Sequence, residues 1–389
     1  MFVNVPARPR HRLRRSPSRG WRRLLAVTAV AVTGSLVVAQ QHAFASVNVV
    51  PDYTESVIGT VYAVAQVGDR TIIGGDFTTV GGLARRNAAA IKADGRVDPT
   101  FDPSPDGIVY AVAGSGDASR VFLGGVFQNA GGAPRANLAA VNPVTGAAQA
   151  DWVANTDADV LTLAVKDTRL YLGGRFTTIN TARYRRLAAV DTVTARPYTG
   201  FIPWPNWTVR AITVSPDGTK VYATGGFTAM GATPRNGVAE VLASTGAATA
   251  FDASDAGVGL CIALSPDGTR LFFSTPNNVL WAYDLVAGPA TPVWSVKTGG
   301  DTQAVVASST EVYFGGHFGQ LTTFKVKRSA LASVNMADGT PTAWDPNPLN
   351  WGMGVWALAT TPDKLLVGGD FHQIDTKFRR GFARFSGTP

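Results

Sequence analysis

Cysteine is almost missing: Cys261 stands alone in 389 residues, so no intramolecular disulfide can form and the fold must hold by its core. Within Leu260-Cys261-Ile262-Ala263-Leu264 it reads as a small buried hydrophobe rather than a reactive thiol. Histidine is scarce as well. Only His317 and His372 follow residue 45, and neither has the spacing of a zinc ligand, so no metal centre and no cofactor are expected. A Gly-x-Ser-x-Gly elbow, a phosphate loop opening a helix and a credible cysteine nucleophile are all missing. Helical periodicity of useful length is missing after residue 46, which disfavours the helix-based repeats. Carboxylates from distant parts of the chain can still meet in space, so hydrolase or lyase chemistry stays open.

Acidic residues are missing from the first 45 positions, which carry eight arginines and no lysine. The apolar run Leu24–Ala39 follows, too short for a confident membrane span, and Ala43-Phe44-Ala45 supplies small residues for cleavage. Residues 1–45 are expected to be a secretory signal peptide, cut before Ser46, with the twin-arginine and general routes both open. Removing those eight arginines from the 35 basic residues leaves 27, equal to the 27 acidic ones. The formal charge of +8 therefore lies in the leader, and nucleic acid loses its electrostatic support as a partner. No later apolar tail or lipid-attachment site follows, so the expected product is secreted, extracellular and monomeric, without a membrane span after cleavage.

What the chain does have is a repeat. Gly74-Gly75-Asp76-Phe77 returns as Gly124-Gly125-Val126-Phe127 and Gly173-Gly174-Arg175-Phe176, with phenylalanines 50 and 49 residues apart. It continues as Gly225-Gly226-Phe227, degenerates near Leu271–Asn277, and returns at Gly315-Gly316-His317-Phe318 and Gly368-Gly369-Asp370-Phe371. Seven copies of about 49 residues fit the chain after residue 45, a propeller-blade length. In each copy a β-branched, aromatic strand such as Val61-Tyr62-Ala63-Val64-Ala65 precedes a turn, best seen in Ser215-Pro216-Asp217-Gly218 and Ser265-Pro266-Asp267-Gly268. A second strand carries the paired glycines, which fit a strand where a bulge or a close backbone approach needs the missing side chain. An alanine-rich third strand and a fourth ending in an aromatic complete the unit, the last at Phe101, Trp152, Phe201, Phe251 and Trp344. The expected fold is all-β: residues 46–389 form a single β-propeller of seven four-stranded blades. Val47–Tyr53 is expected to supply the outer strand missing from the last copy and so hide both sheet edges.

The pattern of Gly-Gly-x-Phe, a following arginine, an alanine-rich strand and Thr-Gly or Asp-Gly before an aromatic-Asp-Pro resembles the delta-60 repeat propellers of secreted bacterial proteins. The resemblance spans residues 59–385, and the fifth copy departs from it. It implies fold and export, because that family has no general assigned activity. The two Ser-Pro-Asp-Gly-Thr turns are also similar to those of YVTN and WD40-like propellers.

In a propeller, the loops entering the first strand and those leaving the second share one face, where ligands meet the ring. The recurring Arg85, Arg135, Arg235, Arg328 and Arg379, with Arg185 one position out of register, fall on that face. Recurrence favours a structural brace to carbonyls or an acid of the neighbouring blade, against a ring for an anionic polymer. Asp76, Asp370 and His317 occupy the variable position between glycine and phenylalanine, open to loop-facing chemistry. Trp204, Trp207 and Trp351 are additional to the repeat and fall in the loops before a first strand, where indoles stack on sugar rings; the competing reading is a plug for the channel mouth. The function expected is a secreted binding or interaction module for a cell-envelope glycan or protein. The alternative is an extracellular hydrolase or lyase acting on a carbohydrate or lactone with acids near the channel.

Overall fold

The computed structural model describes residues 46–286, 290–349 and 352–388, all within one compact unit. The expected leader and Trp351 lie outside the described residues. Among the described residues the only helical piece is a three-residue 3-10 turn, Ser254–Ala256.

Val57–Val67 runs antiparallel to Arg70–Val80, which pairs with Ala88–Ile91, and Ile91 bridges Val97 at the outer edge. The same sheet recurs as Ile108–Gly114, Val121–Val126 and Leu138–Val141. It returns as Val160–Lys166, Arg169–Gly174 and Leu187–Asp191, then as Val209–Val214, Lys220–Gly225 and Val238–Leu242. Ile262–Leu264, Arg270–Thr275, Val279–Asp284 and Thr291–Lys297 follow as a sheet of four, and Thr302–Ala307, Glu311–Gly316 and Leu331–Asn335 as one of three. Last come Gly354–Thr360, Lys364–Asp370 and Phe382–Thr388, to which Ser46–Val47 adds an edge strand. The first strand of each sheet packs on the first strand of the next, and Gly354–Thr360 packs on Val57–Val67.

The paired glycines divide two tasks. A Cβ on Gly74 would lie 2.6 Å from a Val109 methyl in the next sheet, and Gly124 meets Val160, Gly173 meets Val209, Gly315 meets Val355 and Gly368 meets Val61 in the same way. The second glycine faces its own sheet: a Cβ on Gly75 would sit 2.0 Å from the Thr60 carbonyl, beside a bulge in the first strand. Where the motif changes, the contact changes with it. Thr224 stands where the others have the first glycine, and Gly259 replaces the facing valine. In the degenerate copy Ser274 occupies that place and donates a hydrogen bond to the Thr302 carbonyl at 2.7 Å.

The fourth strand differs from expectation. It is long only at Thr291–Lys297; Ser46–Val47 makes two pairs in the last sheet, and the other sheets keep a single bridge, as at Val190 with Pro197 and Val334 with Pro341. At Pro197 and Pro341 the missing N–H limits the ladder. Arginine holds that edge instead. Arg85 donates to the carbonyls of Ala84 and Pro99, both at 2.7 Å; Arg135 to Pro134 and Gln149; Arg235 to Pro234 and Thr249; Arg328 to Lys327 and Thr342. The carbonyls belong to the same repeat, not to the neighbouring one. Arg379 clamps Phe378 to Asp52, near the N-terminal edge strand. Arg185 is not one of these clamps; Tyr184, buried, stands at that point of its repeat.

Substituting Gly124→Ala should cost about 1–3 kcal/mol by overpacking against Val160. Thermal melts of Gly124→Ala, Val160→Ala and the double variant should show the second change recovering part of the first. Additive losses would mean that the contact does not set the spacing.

Candidate functional site

In six of the first strands the ladder skips one residue, between Val61 and Ala63, Val109 and Ala111, Val160 and Thr162, Val209 and Ala211, Thr302 and Ala304, and Val355 and Ala357. The extruded residues are Tyr62, Tyr110, Leu161, Arg210, Gln303 and Trp356. A bulge re-aims a side chain in this way. Tyr62 meets Tyr110 with ring centroids 5.8 Å apart and Trp356 edge-on at 5.3 Å, and Leu260 joins Trp356 in the same cluster. Burial first, and then Asp76 and Tyr110, raise the Tyr62 hydroxyl above the ordinary tyrosine range, so it stays protonated at neutral pH.

The variable position after the glycines ends the second strand at Val126 and Asp370, lies just past it at Arg175, Gly226 and His317, and lies within it at Asp76. Asp76 pairs across the ladder with Thr60, and Asp370 with Gly354, its carboxylate also accepting from the Met353 amide at 3.3 Å. His317 lies 3.9 Å from the Asp301 carboxylate, which also accepts from the Gln303 side chain. Among the described residues no group of three histidine, cysteine or acidic side chains could hold a metal ion. Cys261 is buried, pushed up to about 12 by desolvation, and its sulfur lies 3.0 Å from the Ser274 hydroxyl.

The tryptophans occupy a different arc. An open cleft of about 360 Å³ is lined by Arg175, Arg186, Trp207, Thr208, Arg210 and Gly226. Trp207 is 61 % exposed, and its indole lies over Gly226, where a Cβ would come within 2.9 Å of the ring. The Arg186 guanidinium is 5.9 Å from the Trp207 ring, and Arg175 is paired with Asp159 at 2.6 Å. Burial lowers the Arg210 pKa, and the like charge of Arg175 lowers it further. Next along the loop, Trp204 is 38 % exposed, with Arg183 and Arg185 at 5.7 and 5.6 Å from its ring. Arginine beside an indole is held by the ring's negative face.

The structure therefore brings Trp204 and Trp207 together with arginines, and sets Asp76 and Asp370 beside Tyr62. It does not gather all these residues into one constellation. Nor are the two tryptophans insertions: Pro203-Trp204-Pro205 repeats the turn of Pro103-Ser104-Pro105, with φ of 41° at Trp204 and 38° at Ser104. The cleft arginines escape a search for recurrence because each breaks the repeat. Arg186 stands where the first two repeats have Asn87 and Asn137, in the left-handed region at φ 60°, 60° and 62°. Those asparagines accept from the Phe77 and Phe127 amides and donate to the next loop at Gly107 and Thr156. Arg210 stands where the other repeats extrude uncharged groups, Tyr62, Tyr110, Leu161, Gln303 and Trp356. Comparing the copies with one another, position by position, would have exposed both.

A family described as "Domain of unknown function (DUF5122) beta-propeller" matches residues 69–101, from the second strand of the first repeat to its terminal aromatic. No curated protein matches the chain. Among solved structures, the crystal structure of the computationally designed Ika8 protein is similar with a TM-score of 0.53, at 11 % identity over 85 % of each chain, a likeness of fold alone. The all-β architecture and the family match support a β-propeller domain of unknown function.

Arg186→Asn should raise stability by up to about 1 kcal/mol, since asparagine tolerates the left-handed region better and restores the hydrogen bonds of the first two repeats. A lower melting temperature for this variant would make Arg186 a structural residue.

Proposed function

We propose that this β-propeller domain is a secreted, non-enzymatic module that binds a cell-envelope glycan through the loops around Trp204 and Trp207. One observation carries the reading. Two neighbouring indoles stay 38 % and 61 % exposed, although burying an aromatic is strongly favourable, and each has arginine at its side. Indole faces stack on the C–H faces of sugars, and flanking guanidiniums donate to hydroxyl oxygens. Fold by itself does not supply this function; the site does.

On this reading the ring has seven blades, closed where Ser46–Val47 completes the last sheet. Asp52 supports closure: its carboxylate accepts from Arg384 at 3.2 Å and Ser386 at 3.0 Å, and its carbonyl from Arg379 at 2.7 Å. Trp344 also donates to the Asn48 carbonyl at 3.1 Å.

Glycan-array binding of the purified protein should fall at least about tenfold in a folded Trp204→Ala, Trp207→Ala variant, the loss expected when two desolvated aromatic anchors are truncated. Equal binding by variant and wild type would overturn the reading. A chain beginning at Thr54 should melt well below one beginning at Ser46, and matching melts would refute closure. N-terminal sequencing of the exported product should read Ser-Val-Asn from Ser46; a retained leader would contradict the export reading.

A further inference from the structure

Glycan binding alone leaves the chemistry of the cleft beside Trp207 unexplained. Arg175, Arg186 and Arg210 line it, no carboxylate stands among its lining residues, and Arg175 is paired with the nearby Asp159. Three guanidiniums gathered in one cleft repel one another and lose hydration, and an anion relieves both costs.

Three of these residues also depart from the commoner choices of the repeat. Arg186 takes the left-handed place held by asparagine or glycine in four other repeats, Arg210 an extruded place otherwise uncharged, and Trp207 the place of Gly107, while Arg175 sits at a place with no common residue. Gly226 lies beneath the indole, leaving the ring room to settle. Three repeat positions thus change at one cleft, whereas the arginines that do recur are clamps on carbonyls.

We infer that this cleft binds a hexuronate ring of an acidic polysaccharide, the sugar face on Trp207 and the carboxylate between Arg186 and Arg210. The inference rests on the glycan-binding reading and names its ligand class. A planar carboxylate offers two oxygens that match the planar fork of a guanidinium. In a uronate that carboxylate is attached directly to the pyranose ring, so the charge sits at the ring's edge, where Arg186 flanks the indole at 5.9 Å from its centroid. The cleft is open, which suits a residue inside a longer polymer.

The test compares hexagalacturonate, its methyl ester and a sulfated hexasaccharide without carboxylates as ligands of the purified protein by calorimetry. The free acid should bind at least about tenfold more tightly than its ester, the size expected for a charge-assisted pair, and the preference should shrink as salt is raised. Folded Arg186→Asn, Arg210→Gln protein should bind acid and ester alike, and Trp207→Ala should weaken both. Equal affinity of the wild type for acid and ester, or an undiminished preference in the arginine variant, overturns the uronate assignment while glycan binding stands. Preference for the sulfated sugar overturns the carboxylate in favour of another anion. Binding of no saccharide on this panel or the array removes both readings.

Discussion

The close contact between a glycine of one sheet and a valine of the next sets the geometry on which the rest of this protein depends. With no Cβ on Gly74, Gly124, Gly173, Gly315 or Gly368, the facing valines approach to distances that an alanine would forbid. Close-packed interiors transmit such spacings, so one missing methyl per sheet sets how tightly neighbouring units nest. The exchange of Thr224 with Gly259 keeps the sum of the two side chains small although both residues differ. Ser274 and Thr302 replace apolar contact by a hydrogen bond at the same place. The constraint acts on the pair, and the sequence is free to satisfy it from either side.

The second glycine carries this constraint to the inner wall. By admitting the carbonyl of the first strand, it leaves room for the bulge that extrudes Tyr62, Tyr110, Leu161, Arg210, Gln303 or Trp356. In the degenerate repeat Thr275 replaces the second glycine and the first strand begins late, at Ile262, yet Leu260 still reaches the inner cluster beside Trp356. At the opposite edge the arginine clamps work where the ladder has been cut to a single bridge. Their charge is buried, yet each guanidinium has carbonyls to donate to, and Arg85, Arg235 and Arg328 also lie 3.4–3.6 Å from a carboxylate.

Much of the fold was legible because the repeat displays its own punctuation. Gly-Gly-x-Phe located the second strand, alanine-rich runs the third, and the Ser-Pro-Asp-Gly turns the hairpins between the first two strands. The two reasons offered for a glycine in a strand, a bulge and a close approach, both apply, one to each glycine. The fourth strand was less legible, since its length depends on which carbonyls the arginine holds rather than on local propensity. The recurring arginines could be recognised as braces, but not which carbonyls they reach. Trp204 and Trp207 were visible as unusual residues; Arg186 and Arg210 were not, because a search for recurrence passes over the residue that fails to recur.

That failure carries the functional argument. In a repeat protein every copy solves the same packing problem, so the solution used most often is a measure of what packing alone requires. Arg186 takes a left-handed position held by Asn87, Asn137, Gly237 and Gly381 in four other repeats, where an ordinary side chain costs about 1 kcal/mol or more. Arg210 takes a place where the other repeats extrude uncharged side chains, and burial and Arg175 disfavour its charge. Trp207 replaces a glycine and leaves most of its indole in water. None of these choices improves the packing that the other repeats achieve with simpler residues. Local rules broken together, at one cleft and with one sign of charge, are what the proposed binding site accounts for and packing does not.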